Sequence, residues 1–399
     1  MKIGIAGPVS LEPLKSWLPK DFTPPSVYSF PLLGKLAAGL LTRGHEVTLF
    51  AGSEALQETL SLSHGPLSLK ITPRRARWAA YDFYAKEVRF LTDAMRASHC
   101  DIIHAHWCYE FAAAALDSGL PTLVTAHDNP NEEHLFTRWT RAYPFWFMRC
   151  FLGRQILCRA SYITAVSPYV KDNIHKITRR HTHVRVIPNG IQQALFAGGR
   201  SRLDALPIKR SNFTVASVLE GFGKRKNARA ALKGFSLFRS QFPQSLYVLF
   251  GGDYQQEGPA HNWARDNGLD AGVLFRGRQS QDVFHPFLLD QVDVLLHPSL
   301  LESHPMAIIE AMALGIPVVG GIDSGGVPFT LNHGEAGLLV DVRSPEAIAK
   351  ALIKVYQDPH TARSFAKKAW IFAKENFTEE IMVDRYLMAY EEVLIGAPS

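Results

Sequence analysis

Short runs of aliphatic and β-branched residues alternate with longer helix-type patterns along almost the whole chain. The predicted strands are Lys2–Ala6, Glu46–Ala51, Ile102–Ala105, Thr122–Ala126, Tyr162–Val166, Val184–Ile187, Phe213–Val218, Leu246–Phe250, Val273–Arg276, Val292–Leu296, Val318–Gly321 and Gly337–Val340. Helices such as Leu32–Arg43, Ala228–Arg239, Met306–Leu314 and Pro345–Asp358 are predicted between them because their apolar residues recur every three or four positions. This alternation predicts an α/β fold with parallel sheets covered by helices on both faces.

The alternation pauses once, after Pro188-Asn189-Gly190. Residues 192–211 contain Gly198-Gly199 and several arginines but little periodicity, so we predict a linker there. A chain of 399 residues is longer than one hydrophobic core usually supports. We therefore expect two Rossmann-like, doubly wound domains facing a cleft, over residues 1–195 and 205–375. Ligands of such folds bind beyond the carboxyl ends of the strands, where the chemistry is expected.

The amino-acid composition argues against a disordered chain and against a nucleic-acid-binding protein. Hydrophobic residues make up 47% and charged residues 20% of the chain, which excludes disorder as the dominant state. Lysine and arginine (43) exceed aspartate and glutamate (37) only slightly, giving a net charge of +6. That excess is too small and too scattered to indicate a nucleic-acid-binding protein.

The cysteines and the hydropathy pattern point to a cytoplasmic protein. The four cysteines form no Cys-x-x-Cys pair, and four are too few for a disulfide framework in a chain of this length. No run of about 18 apolar residues predicts a membrane-spanning helix. The apolar start of the chain is shorter than the core of a signal peptide, and it reads as a first buried strand.

Two glutamates follow a predicted buried strand near residue 296. Glu302 lies in the loop before a helix that begins near Pro305, and Glu310 lies inside that helix. In a helix they would be about 12 Å apart along the axis, too far to share one proton, so we expect them to grip different parts of one long ligand. The backbone amides of Ser303, His304 and Met306, around Pro305, offer an anion site at the helix start. The alternative is that Glu310 begins a solvated helix face, but its neighbours are apolar.

This segment resembles the retaining nucleotide-sugar glycosyltransferases of family four, which have the GT-B fold. The resemblance is carried by the two glutamates with seven residues between them, followed by Glu310-Ala311-Met312-Ala313-Leu314-Gly315-Ile316-Pro317-Val318-Val319, Gly325-Gly326-Val327-Pro328 and Gly334-Glu335-Ala336-Gly337-Leu338-Leu339-Val340. Further matches are Arg43-Gly44-His45-Glu46-Val47, Ala165-Val166-Ser167 and Val186-Ile187-Pro188-Asn189-Gly190. The resemblance covers nearly the whole chain.

The resemblance implies roles for single residues on the donor side. Glu310 would hold the ribose hydroxyls, and Glu302 would contact the sugar or support developing positive charge. Lys226 matches the lysine that holds the donor diphosphate. The arginine that accompanies it in the family falls near Glu220 or Gly221 here, so Arg225 or Lys224 would have to supply its charge.

Alternatives remain for these donor-side residues. The three adjacent basic residues 224–226 could be an ordinary solvated helix start. Cations at a helix N-terminus are unfavourable without an anion, which favours contact with a diphosphate. We include Gly221, beside the position of the missing arginine, among the donor-binding residues.

Three histidines lie at predicted strand ends in the first domain. His127 matches a histidine of the family's active site and would contact the transferred sugar or the acceptor, and a buried structural histidine is the competing interpretation. His104 and His106 flank Ala105, so one of them is also a candidate for the cleft. The three histidines lack the spacing of a metal site. The family works without bound metal, so no metal and no cofactor is expected besides the nucleoside-diphosphate sugar that serves as co-substrate.

Residues 135–159 combine five arginines with seven aromatic side chains and contain no acid. A basic aromatic helix can lie on an anionic membrane surface, but it can equally pack on a core with a basic outer face. On the first interpretation the protein would be peripheral at the inner face of the membrane, with a lipid-linked acceptor.

The sequence thus predicts a retaining glycosyltransferase that moves a hexosyl-type sugar from a nucleoside diphosphate to an acceptor hydroxyl in cell-envelope polysaccharide or glycolipid assembly. Residues 1–195 would form the acceptor side, completed by a crossing helix at about 376–399, and 205–375 the donor side. The alternatives are a noncatalytic nucleotide-sugar-binding protein and a GT-B epimerase or synthase. The noncatalytic reading stays open because the basic pair is altered and residues 22–30 lack the family's glycine pair.

Overall fold

The computed structural model describes residues 1–128, 130–178, 183–205 and 212–396. The strands are β1 (Lys2–Ala6), β2 (Glu46–Ser53), β3 (Leu60–His64), β4 (Leu67–Pro73), β5 (Ile102–His106), β6 (Thr122–Ala126), β7 (Tyr162–Ala165), β8 (Val184–Val186), β9 (Thr214–Val218), β10 (Leu246–Phe250), β11 (Val273–Gly277), β12 (Val294–His297), β13 (Val318–Gly321) and β14 (Leu338–Val340).

The helices are α1 (Pro31–Thr42), α2 (Ala85–Arg96), α3 (Glu110–Ser118), α4 (Pro130–Glu133), α5 (Tyr143–Arg159), α6 (Pro168–Thr178), α7 (Gln193–Ala205), α8 (Ala228–Gln241), α9 (Pro259–Asp266), α10 (Gln281–Gln291), α11 (Met306–Ala313), α12 (Val327–Thr330), α13 (Pro345–Gln357), α14 (Pro359–Asn376) and α15 (Glu379–Gly396). Short 3₁₀ turns cover Glu12–Trp17, Arg77–Asp82, His134–Thr137, Lys224–Lys226 and Asn332–Gly334.

The chain divides into two compact units. The N-terminal unit runs Met1–Gly190 and is completed by the segment that begins at Glu379, and the C-terminal unit runs Ile191–Thr378. The sheet of the N-terminal unit has the strand order β3-β4-β2-β1-β5-β6-β7-β8, and that of the C-terminal unit the order β11-β10-β9-β12-β13-β14. The predicted α/β class with two parallel sheets is therefore confirmed.

The inner strands of each sheet are buried on both faces, as their continuous apolar runs predict. In the N-terminal unit one face packs against α2, α3 and α5, and the other against α1 and the terminal helix α15. In the C-terminal unit one face packs against α7, α10, α11 and α14, and the other against α8, α9 and α13. The loops that leave the carboxyl ends of the strands are the part of each unit that these helices leave available for a ligand.

The predicted linker at 192–211 is wrong in its first part, and residues 206–211 lie outside the described residues. Residues 193–205 form helix α7. The glycines there serve packing rather than flexibility, since a Cβ on Gly199 would lie 2.0 Å from the carbonyl oxygen of Ala313. Because Gly199 has no side chain, α7 can approach the end of α11 closely. Glycine also lowers helix propensity, so the sequence pattern of this segment did not predict a helix.

Strands β3 and β4 were not predicted. They form an antiparallel pair joined through Gly65, whose φ of 57° is left-handed. The strand β3 is mostly exposed, and its Leu-Ser alternation is short. The alternation on both sides of His64-Gly65-Pro66 is a hairpin signal that could have been used.

Candidate active site

The strand order of the C-terminal unit places two loops side by side. Strands β9 and β12 are paired, and the chain leaves their carboxyl ends in opposite directions, which makes this a topological switch point. The backbone N–H of Leu300 donates to the carbonyl of Arg225 at 2.8 Å, and the side-chain amide of Asn227 donates to the carbonyl of Pro298 at 3.1 Å. These bonds hold the loop after β9 against the loop after β12.

Lys226 and Glu302 meet between these loops. Lys226 Nζ lies 2.6 Å from Glu302 Oε1, and both side chains are largely buried. Arg225 Nη1 lies 3.7 Å from Glu302 Oε2 and also donates to the carbonyl of Leu301 at 3.3 Å. His297, the last residue of β12, adds a longer contact of 3.5 Å from Nε2 to Glu302 Oε1. The structure thus places Lys226 and Arg225, two candidates from the sequence, beside the carboxylate of the third candidate, Glu302.

The carboxylate of Glu302 is ionised in this setting. Its burial alone would raise its pKa, but the charge of Lys226, the nearby imidazole of His297 and the charge of Arg225 together outweigh burial and hold the pKa well below the ordinary value. A carboxylate of this kind accepts hydrogen bonds or supports positive charge, and it is a poor proton donor at neutral pH.

Glu310 lies on α11 with a different partner. Its Oε1 is 3.6 Å from Nε2 of His285 on helix α10, and both side chains are mostly buried. The two glutamates therefore have separate environments.

In the segment between the two glutamates, the groups that suit a ligand are mainly backbone amides. Pro305 is the N-cap of α11 and Met306 is its first residue, so the first amides of this helix lack intrahelical acceptors. The imidazole of His304 packs edge-on against Phe377, with ring centroids 4.8 Å apart, and its burial lowers its pKa to about 3. Of Ser303, His304, Pro305 and Met306, it is thus the backbone rather than the His304 ring that suits an anion.

The position of the missing family arginine carries a carboxylate with its own cation. Glu220 follows β9, accepts from the backbone N–H of Gly252 at 3.2 Å and forms an ion pair with Arg278, which follows β11. Gly221, with φ 83°, turns the chain away immediately afterwards, and its N–H donates to the carbonyl of Gly252. Of the two candidate replacements, Arg225 is half-buried beside Glu302 and Lys224 is exposed.

In the N-terminal unit, His106 and His127 form one pair at the ends of β5 and β6. His106 Nδ1 lies 2.8 Å from His127 Nε2, and the ring of His127 stacks on Trp107 at a centroid distance of 4.3 Å. Burial lowers the pKa of His127 to about 3, and burial and the neighbouring histidines hold the pKa of His106 well below its ordinary value. Both rings are neutral near pH 7, so His127 offers a hydrogen bond and not a positive charge.

His104 belongs to the core rather than to a ligand site. It is fully buried, with Nδ1 2.7 Å from the hydroxyl of Tyr390 on α15 and Nε2 2.6 Å from Thr125 Oγ1. This network fastens the terminal helix to the N-terminal sheet.

The segment 135–159 has two parts. In α5 the side chains of Cys150, Leu152, Ile156 and Leu157 are buried in the core. Arg149 is covered too, because its guanidinium lies 3.5 Å from the ring centroid of Tyr109. Four large apolar side chains of the segment are exposed, Leu135 and Trp139 before α5 and Phe147 and Phe151 on its outer face. Arg138 and Arg141, on either side of Trp139 and Thr140, are also exposed.

Sequence reasoning missed His285, His297 and Arg278. None of them belongs to a motif that the sequence analysis used. His297 ends β12 just before the loop that carries Glu302, whereas Arg278 and His285 reach Glu220 and Glu310 through the fold. Position at a strand end was the available signal for His297 and Arg278, whereas nothing in the sequence indicates His285.

The described residues show neither a metal-binding cluster nor a membrane-spanning helix. No cluster of three or more histidine, cysteine or acidic residues there is arranged to hold a metal ion. Within the same residues, no helix combines the length and the apolar character needed to span a bilayer.

Comparison with known families matches most of the chain. The model described as Glycosyltransferase Family 4 matches residues 33–194, and that described as Glycosyl transferases group 1 matches residues 207–370. The two matches fall on the N-terminal and the C-terminal unit respectively.

Relatives with assigned activities are distant. The chain is 23% identical over 241 residues to N-acetyl-alpha-D-glucosaminyl L-malate synthase of Bacillus anthracis, covering 59% of this chain and 61% of that protein. It is 27% identical over 181 residues to UDP-Gal:alpha-D-GlcNAc-diphosphoundecaprenol alpha-1,3-galactosyltransferase of Escherichia coli, covering 44% and 46% respectively. The chain thus spans about half the length of these curated relatives.

The fold recurs in solved structures over the full chain. A sucrose-phosphate synthase from Thermosynechococcus elongatus superposes with a TM-score of 0.73 at 19% identity, covering 99% of this chain and 100% of that one. At this identity the likeness concerns the fold.

Proposed function

Since the chain belongs to the family 4 glycosyltransferases, which have the GT-B fold, we propose that it is a retaining glycosyltransferase acting on a nucleoside-diphosphate sugar. The acceptor is a hydroxyl group of a carbohydrate or of a lipid-linked sugar in cell-envelope polysaccharide or glycolipid assembly. The galactosyltransferase of Escherichia coli is named for an acceptor linked to diphosphoundecaprenol, which supports this class of acceptor.

The observation that carries the proposal is the ion pair of Lys226 and Glu302 at the carboxyl ends of β9 and β12. Lys226, with Arg225 beside it, supplies positive charge where a diphosphate leaving group would gain negative charge. Glu302, held ionised, faces the hydroxyls or the developing positive charge of the transferred sugar. Glu310 accepts from the ribose hydroxyls, since a carboxylate can take two such donors at once.

In the proposed reaction the bond from the sugar C1 to the β-phosphate oxygen breaks, and its electron pair leaves with the phosphate. The acceptor oxygen forms the new bond to C1 on the same face, and its proton passes to the departing phosphate oxygen. His127, being neutral, would orient the sugar or the acceptor by a hydrogen bond without taking part as a cation.

The experiment has a binding part and a turnover part. A panel of nucleoside-diphosphate sugars is screened by thermal shift, and the sugars that stabilise the protein are then tested for transfer. Lys226→Ala and Glu310→Ala should abolish donor stabilisation and transfer, while Lys224→Ala, in the same turn but exposed, should keep both. Full activity of the first two variants would refute this site.

Two further readouts decide between the remaining functions. Retention of the anomeric configuration in the product, read by NMR, tests the stereochemistry. Donor binding without turnover on any acceptor extract would indicate a noncatalytic nucleotide-sugar-binding protein.

We also propose that the protein is cytoplasmic and contacts the membrane through the exposed part of segment 135–159. Trp139 is 90% exposed, and Arg138 and Arg141 lie beside it, a combination suited to an anionic bilayer surface. Replacing both arginines by serine should reduce co-sedimentation with vesicles rich in anionic lipid, whereas Arg265→Ser, on exposed α9, should not. Equal sedimentation of the two variants would refute this contact.

A further inference from the structure

His285 is a largely buried histidine on α10 whose imidazole faces the carboxylate of Glu310 on α11. Its Nε2 is buried and makes no hydrogen bond within the described part of the chain, and it lies 3.6 Å from Oε1 of Glu310. The side chains of His285 and Glu310 are 12% and 14% exposed. A buried polar atom without a partner is unfavourable, so its position beside a carboxylate needs a reason.

The core fixes the two backbones that carry this pair. Helix α10 precedes β12 and α11 follows it, and both pack on the same face of the C-terminal sheet. Their buried residues belong to one cluster, which includes Phe284, Leu288, Ile308, Ile309 and Met312. The separation of His285 and Glu310 therefore depends on packing around them and not on a mobile loop.

Nε2 is the ring nitrogen that we expect to carry hydrogen, because an unprotonated Nε2 would turn its lone pair towards the carboxylate of Glu310 and repel it. At 3.6 Å the contact is longer than a hydrogen bond, which needs about 3.2 Å or less. A small movement of the Glu310 carboxylate closes this gap, and groups of a binding site commonly tighten in this way when the ligand arrives.

We propose that His285 is a positioning residue for Glu310: its Nε2–H orients the carboxylate so that both oxygens face the ribose hydroxyls of the donor. The inference rests on the proposed function, in which Glu310 binds the ribose. A carboxylate that must accept two hydroxyls at once gains affinity when another residue holds its plane. His285 then acts on the ribose alone and not on the base or the diphosphate.

The test compares ribonucleotides with analogues that lack the hydroxyls. Calorimetric titrations with UDP and GDP, and with their 2′,3′-dideoxy forms, are made on the wild type, His285→Leu and His285→Gln. His285→Leu removes the Nε2–H donor, whereas the side-chain amide in His285→Gln can place an N–H near the position of Nε2. Thermal unfolding of each variant shows that it is folded.

The expected result is specific to the ribose. His285→Leu should bind the ribonucleotide about ten-fold more weakly, the loss of one hydrogen bond to a charged group, and should bind the dideoxy form as the wild type does. His285→Gln should recover most of the loss. With a sugar donor, KM should rise in His285→Leu with little change in kcat.

Failure of the inference and failure of the proposed function give different results. If the wild type prefers the ribonucleotide but His285→Leu keeps the full preference, or weakens both nucleotides equally, His285 does not position Glu310. If the wild type binds neither UDP nor GDP, or binds ribose and dideoxy forms equally, the ribose role of Glu310 is refuted, and the inference with it.

Discussion

Replacing Lys226 by methionine should destabilise the protein through the charge that it leaves behind. The ammonium lies 2.6 Å from the carboxylate of Glu302, and the two side chains are 14% and 13% exposed. Removing one partner of a buried ion pair costs about 3 to 5 kcal/mol when the other charge is left alone. Here Arg225 at 3.7 Å and His297 at 3.5 Å still face Glu302, so we expect a loss of about 2 kcal/mol.

A double-mutant cycle measures the free energy of the interaction between Lys226 and Glu302. The expected loss lowers the unfolding temperature by about 4 to 8 °C for a unit of this size. Lys226→Met combined with Glu302→Gln should recover part of the loss, because the uncompensated charge is then gone. Lys224→Met is the matched control, since Lys224 is exposed in the same turn. Additive effects in the cycle, or an equal loss in the control, would refute the reasoning.

The same cycle has a defined dependence on pH. The pKa of Glu302 is depressed in the folded chain, so its ionised form contributes stability above the unfolded value of 4.5 and loses it as the pH falls through the folded pKa. The difference between the wild type and Lys226→Met should therefore be complete above pH 4.5 and shrink below it. A difference that stays constant down to pH 3 would indicate lost packing and not lost charge.

Gly199→Ala should destabilise by about 2 kcal/mol or more, because its Cβ would lie 2.0 Å from the carbonyl oxygen of Ala313. Gly198→Ala, whose Cβ would meet only the Leu289 side chain at 3.1 Å, should be tolerated in thermal unfolding. The imidazole of His127 should stay neutral at pH 5 in nitrogen NMR, since burial lowers its pKa from 6.5 to about 3, and this burial costs stability as the pH falls below 6.5. Sugar transfer should survive EDTA, and loss of activity that Mg²⁺ restores would contradict metal independence.

The strand pattern could be read from the sequence because buried parallel strands are nearly continuous apolar runs. Strands β1, β6, β10 and β13 begin and end at the predicted residues. Prediction failed where a local signal had a non-local cause. Gly198-Gly199 indicated a loop, yet Gly199 is needed for the contact of α7 with α11, which no local rule contains.

The candidate site shows the same division. Glu302 and Lys226 could be selected because they lie in segments that follow predicted strands, and Glu310 because it lies in the next helix at the spacing that the family resemblance indicates. The partner of Glu310 could not be selected, because His285 meets it only through the order of the strands and the packing of α10 beside α11. A single sequence does not give the order of the strands in the sheet, and that order is needed to place His285 near Glu310.

The three basic residues 224–226 show how packing decides between two readings of one motif. They lie in a 3₁₀ turn before α8, where Lys224 remains in water while Lys226 and Arg225 face Glu302. A solvated helix start thus describes Lys224, and a partly buried charge cluster describes the other two. Two cations share one carboxylate in this cluster, so it keeps an excess of positive charge that Glu302 cannot neutralise. An entering diphosphate would meet cations already held in place by Glu302, and binding would then cost little side-chain ordering.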